Sequence, residues 1–281
     1  MNIFQADGLI IKSWCDVIDD RSIKQAENIS KLPFAFNHIA LMPDCHSGYG
    51  MPIGGVLACE DVIIPNAVGV DIGCGMHAVK TNLEVLDKTI IKNIMSAIRE
   101  NIPLGFDHRK TPLEIMPLDE WKEKTKTQMT VVGKEYRSAA RQVGTLGGGN
   151  HFIEIQRGGD GFICFMIHSG SRNIGLKVAS FYNEQAKRLN AEFYSSVPKE
   201  ADLAFIPVHI PLFKEYLAEM NFCLEFAKLN RTIMSNIIKD SFVKEIPSCE
   251  FTEELDIAHN YCKNEEHFGK KVWVHRKGAT A

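Results

Sequence analysis

Residues 53–73 read IGGVLACEDVIIPNAVGVDIG, a Val- and Ile-rich stretch cut by glycine and proline. That composition predicts short buried strands separated by tight turns. MHAVKTN (76–82) continues as a further strand. Beyond it the period changes. Asp87 is placed as an N-cap, and Ile90, Ile91, Ile94 and Ile98 form a stripe at helical spacing through KTIIKNIMSAIRE. Residues 107–128 are polar and contain proline, which predicts surface loop or short helix. GKEYRSAARQ resumes helix, and a glycine-rich turn then leads into the alternating strand HFIEI. FICFMIH (162–168) predicts a strand ending on a histidine, and NIGLKVASFYNEQAKRLN a helix. Pro211 suits the first turn of a long helix running to about residue 240, with Leu212, Tyr216, Met220, Cys223 and Ala227 on one face. KKVWVHRK is a final strand. With no internal repeat and no Gly/Ser linker, residues 1–281 are read as one α+β domain.

Composition narrows the function classes. A 281-residue chain that is 45% hydrophobic buries a full core, and a net charge of −3 leaves no global basic field for nucleic acid. Any nucleic-acid contact must therefore use a local patch. The eight cysteines (15, 45, 59, 74, 164, 223, 249, 262) contain no C-x-x-C pair, which argues against a zinc ribbon or a thioredoxin motif. Mostly buried, inert thiols in a reducing compartment are expected. MNIFQADGLIIKSW has no basic region leading into a long apolar run, so a signal peptide is not expected. No apolar run reaches bilayer-spanning length. A soluble, cytoplasmic protein is the expectation.

Five side chains stand out at the ends of strand-like segments. They are Asp71 and Cys74 in DIGCG, His151 in GGGNHFIEI, His168 in IHSGSRN and His259 in DIAHN. A carboxylate, a thiol and three imidazoles suffice for one catalytic metal ion, or for two sharing a bridging thiolate. A single histidine at a strand end is ordinarily a hydrogen-bonded core or surface residue. What promotes these three is that each sits beside glycine, asparagine or serine in a tight motif. His38, His46, His77, His108, His209 and His267 lack comparable settings, although His46 in MPDCHSGYG could support a ligand from behind. GTLGGGNH offers consecutive backbone N–H groups that could cradle phosphate oxygens, and a tight turn explains it equally well. It is neither a Walker A sequence nor a Rossmann G-x-G-x-x-G. Glu154 shares a strand face with Phe152 and not with His151. Arg172, and Arg276 with Lys277, suit RNA or nucleotide phosphates.

Seven segments together resemble the RtcB family of RNA ligases. They are MPDCHSGYGMPIGG (42–55), NAVGVDIGCGMH (66–77), QVGTLGGGNHFIEI (142–155), IHSGSRNIG (167–175), EFAKLNR (225–231), DIAHNY (256–261) and VHRKGAT (274–280). They occur in the family's order and span nearly the whole chain. The resemblance implies a single RtcB-like catalytic domain, with mixed and antiparallel sheets around a dinuclear metal site and helices outside. It also implies two Mn(II) ions, Asp71, Cys74 and His151 holding one and Cys74, His168 and His259 the other. Ligand softness alone would have put zinc first. Asn150, His151, Glu154 and Asn260 match positions lining the guanine-nucleotide site, and Arg172 and Lys277 match positions near RNA phosphate.

The implied reaction joins 3′-phosphate or 2′,3′-cyclic phosphate RNA ends to 5′-hydroxyl ends, with GTP as co-substrate, in tRNA splicing or RNA repair. A histidine first takes guanylate from GTP and passes it to the RNA 3′-phosphate, and the 5′-hydroxyl then displaces GMP. In family members that histidine lies in a later glycine-containing motif, downstream of HRKGAT. No histidine of this chain matches that motif, and His275 is not promoted in its place because the family carries both. The expectation is therefore a ligase domain lacking the family's C-terminal segment, with a second chain as a possible source of the missing histidine. Two alternatives stay open. One is a dinuclear metal-dependent phosphoesterase, and the other a non-catalytic RNA-end-binding accessory subunit.

Overall fold

A computed structural model describes residues 1–5 and 7–281. In chain order the first half contains β1 (Asn2–Phe4), β2 (Ile10–Ser13), α1 (Asp20–Ser30), β3 (Ala35–His46), β4 (Ile53–Cys59), β5 (Val62–Ile63), α2 (Pro65–Val68), β6 (Gly75–Thr81) and α3 (Lys88–Asn101). Then come α4 (Leu118–Thr125), α5 (Thr130–Gln142), β7 (Phe152–Arg157), β8 (Ile163–Ser169), α6 (Arg172–Glu192) and β9 (Ile206–Pro207). The last elements are α7 (Pro211–Glu245), β10 (Phe251–Ala258), β11 (Asn260–His267) and β12 (Lys270–Lys277).

The α+β reading holds. A six-stranded mixed sheet runs β1-β2-β3-β4-β12-β11, with β2 and β3 its parallel pair. An antiparallel four-stranded sheet runs β10-β6-β8-β7, and β5 pairs with β9. Local sequence explains the helix starts. The Asp87 carboxylate accepts from Thr89 N at 2.7 Å, capping α3 as its position predicts. Asp19 does the same for α1 through Ser22 N at 3.0 Å. Pro211 occupies the first turn of α7. One stretch departs from the expectation. PNAV (65–68), read as part of a strand run, is a single helical turn opened by Pro65. A one-turn helix is too short to leave a periodic signature, and Val68 is as buried there as it would be in a strand.

Three apolar cores join these layers. The six-stranded sheet packs on α1 through Ile11, Ile29, Ile39, Leu41 and Leu57. The four-stranded sheet packs on α3 and α7 through Val79, Ile98, Phe165, Ile167, Ile238 and Phe242. A helical core joins α5, α6 and α7 around Val132, Tyr182, Tyr216, Phe222 and Phe226. Helix α7 serves both layers along its length, its first half entering the helical core through Tyr216, Phe222 and Phe226 and its second half the sheet core through Met234, Ile238 and Phe242. Among the described residues no helix is long and apolar enough to cross a membrane.

The sheets meet at one residue. β10 is an edge of the four-stranded sheet, β11 an edge of the six-stranded sheet, and His259 alone separates them. Its N–H donates to Cys74 O at 2.8 Å and its carbonyl accepts from Ala279 N at 3.1 Å.

Candidate metal centre

Backbone register brings three of the five candidate ligands together, and loops bring the other two. Cys74 immediately precedes β6, whose Gly75 pairs with Ser169 of β8 on one side and Ala258 of β10 on the other. The neighbours of those partners are His168 and His259. Three adjacent strands therefore deliver a thiol and two imidazoles to one point. Asp71 and His151 reach the opposite side of Cys74 from loops. Two triads result, Cys74–His168–His259 and Asp71–Cys74–His151, each with its donor atoms within 4.8 Å of one another.

The donor atoms face inward. Cys74 Sγ lies 3.2 Å from His168 Nε2 and 3.4 Å from His151 Nε2. His168 Nε2 is 3.4 Å from His259 Nε2, and His151 Nε2 is 2.9 Å from Asp71 Oδ2. The far nitrogen of His168 contacts Asn150 O at 2.9 Å, and that of His151 contacts Leu146 O at 3.0 Å. A carbonyl only accepts, so these contacts place the proton on Nδ1 and leave the Nε2 lone pairs aimed at the centre. Asp71 is oriented from behind, its Oδ1 accepting from Ser171 N at 3.2 Å. Gly170 is required beside it, since a Cβ there would overlap the Asp71 carboxylate.

Electrostatics agree with the geometry. Cys74 is only 3% exposed; burial pushes its thiol well above the usual range, and the Asp71 charge adds to the shift. Burial, then the neighbouring His168, holds His259 down to about 4, and burial also lowers His168. Burial works to raise Asp71, but its contacts with His151, then with Cys74 and Arg172, outweigh it and keep the carboxyl below the ordinary range. The centre thus gathers two imidazoles that burial keeps neutral, His168 and His259, together with the His151 imidazole, a carboxylate and a thiol that ionises only with compensation. Acceptor atoms converging at 2.9–3.4 Å repel one another unless a proton or a metal cation lies among them. The donor set fits divalent metal, with the thiolate placed to touch both halves.

The centre opens into a cleft of about 770 Å³. Asn150, Asn260 and Lys277 line it, as do His46, Phe152 and Tyr49. Asn260 spends its carboxamide on backbone, donating to Asp71 O at 2.9 Å and accepting from Gly278 N at 2.8 Å. Lys277 is buried, donates to Tyr49 O at 2.6 Å and Asn66 O at 3.2 Å, and is brought down to about 8 by burial. Glu154 points from the face of β7 that carries Phe152, is exposed, and lies outside the cleft lining. Arg172 faces a second cavity, of about 550 Å³, which shares Val70 and Asp71 with the first. Its guanidinium lies 3.3 Å from both Thr145 Oγ1 and His151 Nδ1 and fills the space a Cβ at Gly147 would need. The glycine run, read as a phosphate cradle or a tight turn, thus makes room for this guanidinium. His275 is a core residue: Ile64 N donates to its Nε2 at 2.9 Å.

Sequence reasoning missed the support beneath the ligands. Arg231 and Asn230 of α7, with Asp256 and His77, form a buried polar layer under the centre. EFAKLNR and DIAHNY contain three of these four residues, but a helical arginine is ordinarily solvent-facing and gave no signal of its own.

The family model described as "tRNA-splicing ligase RtcB" matches residues 25–281. The RNA-splicing ligase RtcB of Escherichia coli is 34% identical over 281 aligned residues, covering 92% of this chain and 68% of that protein. The tRNA-splicing ligase RtcB of Thermococcus kodakarensis is 32% identical, with 93% and 65% covered. That of Aeropyrum pernix is also 32% identical, with 99% and 68% covered. The chain therefore spans about two thirds of the length of these relatives. With the family model matched across most of its length, this chain belongs to the RtcB family.

Proposed function

We propose that this chain carries the metal-binding core of an RNA ligase that joins 3′-phosphate or 2′,3′-cyclic phosphate ends to 5′-hydroxyl ends, using GTP and two Mn(II) ions in the cytoplasm. The observation that carries the reading is the pair of triads meeting at Cys74. Asp71, Cys74 and His151 would hold one ion, and Cys74, His168 and His259 the other. When bound, such ions polarise phosphoryl oxygens and neutralise the charge that builds during phosphoryl transfer. The chain's own residues hold the reacting groups. Asn150 fixes His168 through its carbonyl and borders the cleft assigned here to guanine nucleotide. Asn260 fixes the Asp71 backbone and borders the same cleft. Glu154 is assigned to the nucleotide as well, from the rim strand. Lys277 supplies a buried cation at the cleft floor for phosphate. Arg172, which has no carboxylate in ion-pair contact among the described residues, supplies a second cation beside Asp71 for the RNA backbone.

No histidine in these 281 residues matches the family's guanylate-accepting motif. Guanylylation is therefore assigned to a histidine from outside them, in a second chain or a further segment. The test is ligation of a 3′-phosphate oligonucleotide to a 5′-hydroxyl oligonucleotide with GTP and Mn(II). The 281-residue chain alone is expected to give no product and no mass gain of guanylate. Adding the C-terminal third of a family member is expected to restore both. A guanylate adduct on the chain alone would overturn this division of labour.

A further inference from the structure

We infer that the Asn230–Arg231 pair of α7 is the positioning clamp of the metal centre, an inference that rests on the metal-binding reading above. Arg231 is 1% exposed, and among the described residues none of its hydrogen bonds goes to a candidate ligand side chain. Its guanidinium instead grips the segments that carry them. Nε and Nη2 donate to the two Asp256 oxygens at 3.0 and 2.6 Å, on the strand β10 that ends one residue before His259. Nη1 donates to Gly73 O at 2.8 Å, beside Cys74, and to Ser169 O at 3.0 Å, beside His168. One planar cation thus sets the spacing of three strands at the points where they hand over their ligands. A planar fork with five donors in fixed geometry is suited to this; a flexible ammonium is not.

Asn230 extends the clamp to the remaining ligand. Its carboxamide accepts from Thr145 N at 3.1 Å and donates to Ser169 Oγ at 3.1 Å and Gly170 O at 3.2 Å. Ser169 Oγ in turn donates to Leu146 O at 3.0 Å, the carbonyl that also meets His151 Nδ1. The close fit of α7 under the site is visible independently at Gly73. Its φ is +76°, and a Cβ there would collide with Ala227 and the α7 backbone at Leu224. Two successive residues of a buried helix therefore reach all four ligand-bearing segments.

Co(II) titration of the whole chain tests this, because the thiolate–Co(II) charge-transfer band reports Cys74 directly. Arg231→Met is expected to weaken Co(II) binding at least ~10-fold, the range typical for groups that orient metal ligands from behind, and to reduce the band at saturation. Arg231→Lys is expected to recover part of the affinity by donating to the Gly73 and Ser169 carbonyls. Glu219→Gln is the stability control. Glu219 is buried in the same helix and caps α5 by accepting from Val131 N and Val132 N at 3.0 Å, away from the centre. It is expected to lower the melting temperature and leave Co(II) affinity unchanged. If Arg231→Met does not fold, Asn230→Ala makes the smaller cut and is expected to weaken binding as well. Unchanged affinity in the folded clamp variants, or an equal loss in Glu219→Gln, would overturn the clamp. A wild-type chain that binds no Co(II) would instead overturn the metal-binding reading beneath it.

Discussion

On one side of Cys74 stand His168 and His259, delivered by β8 and by the junction after β10, strands hydrogen-bonded on either side of β6. On the other side stand Asp71 and His151, delivered by loops and held by a few contacts from Ser171, Asn260 and Leu146. In the first half the ladder register fixes the spacing of donors, so a substitution must break the sheet or remove a ligand to disturb it. In the second half the geometry depends on close backbone approaches at individual glycines. The strand-built half contains only neutral imidazoles besides the shared thiol. The loop-built half adds the one carboxylate and lies against the Arg172 guanidinium. Rigidity and charge are thus divided between the two halves.

The largest effect is expected where the halves meet. Cys74→Ala should cut bound Mn(II) from about two ions per chain to well below one, measured by elemental analysis after desalting, since the two-metal arrangement needs the bridge. His46→Ala should leave the count unchanged. A full ion retained by Cys74→Ala would break the shared-ligand comparison.

A smaller effect separates the halves. His259→Ala and Gly170→Ala should each leave about one ion, the first losing the strand-built half and the second the loop-built half, because two-metal sites bind their ions through distinct sets. Gly170→Ala acts without removing any donor, since its Cβ would displace the Asp71 carboxylate. Loss of both ions in either variant would show that the halves do not act separately.

The smallest effect belongs to the six-stranded sheet, outside both halves. Burial holds His275 down to about 4, and its Nε2 accepts from Ile64 N. The unfolded chain has an ordinary histidine value of about 6.5, so between these values the unfolded state binds more protons. Stability contributed by neutral His275 is present above about pH 6.5 and is lost as pH falls toward 4. The apo chain should show a lower melting temperature at pH 4.5 than at pH 7, and His275→Gln should flatten that slope. An unchanged slope would assign the acid sensitivity to the centre itself.

Much of this was legible in the sequence. Strand and helix periods gave the α+β class, and Asp87 and Pro211 gave two helix starts. Asp71, Cys74, His151, His168 and His259 were each legible from a glycine-, serine- or asparagine-flanked motif at a strand end, and the fold gathers these five. What was hidden depended on contacts distant in sequence. Arg231 looks like any helical arginine until Asp256, Gly73 and Ser169 surround it. Glu219 looks like a surface carboxylate until the uncapped start of α5 meets it; its burial raises its pKa even as those N–H donors oppose the shift. The glycine run at 147–149 could not reveal that its open space is taken by a side chain from Arg172.

His259 is the one residue between the two sheets, pinned by backbone bonds to Cys74 on one side and Ala279 on the other. An ion held by its imidazole would work as a rivet through overlapping plates. It would fasten an edge of each sheet to the same point, so that any sliding of one sheet against the other would pull directly on the ion's ligands. Metal occupancy and the mutual alignment of the sheets would then be one mechanical variable, and the walls of the cleft between them would inherit it.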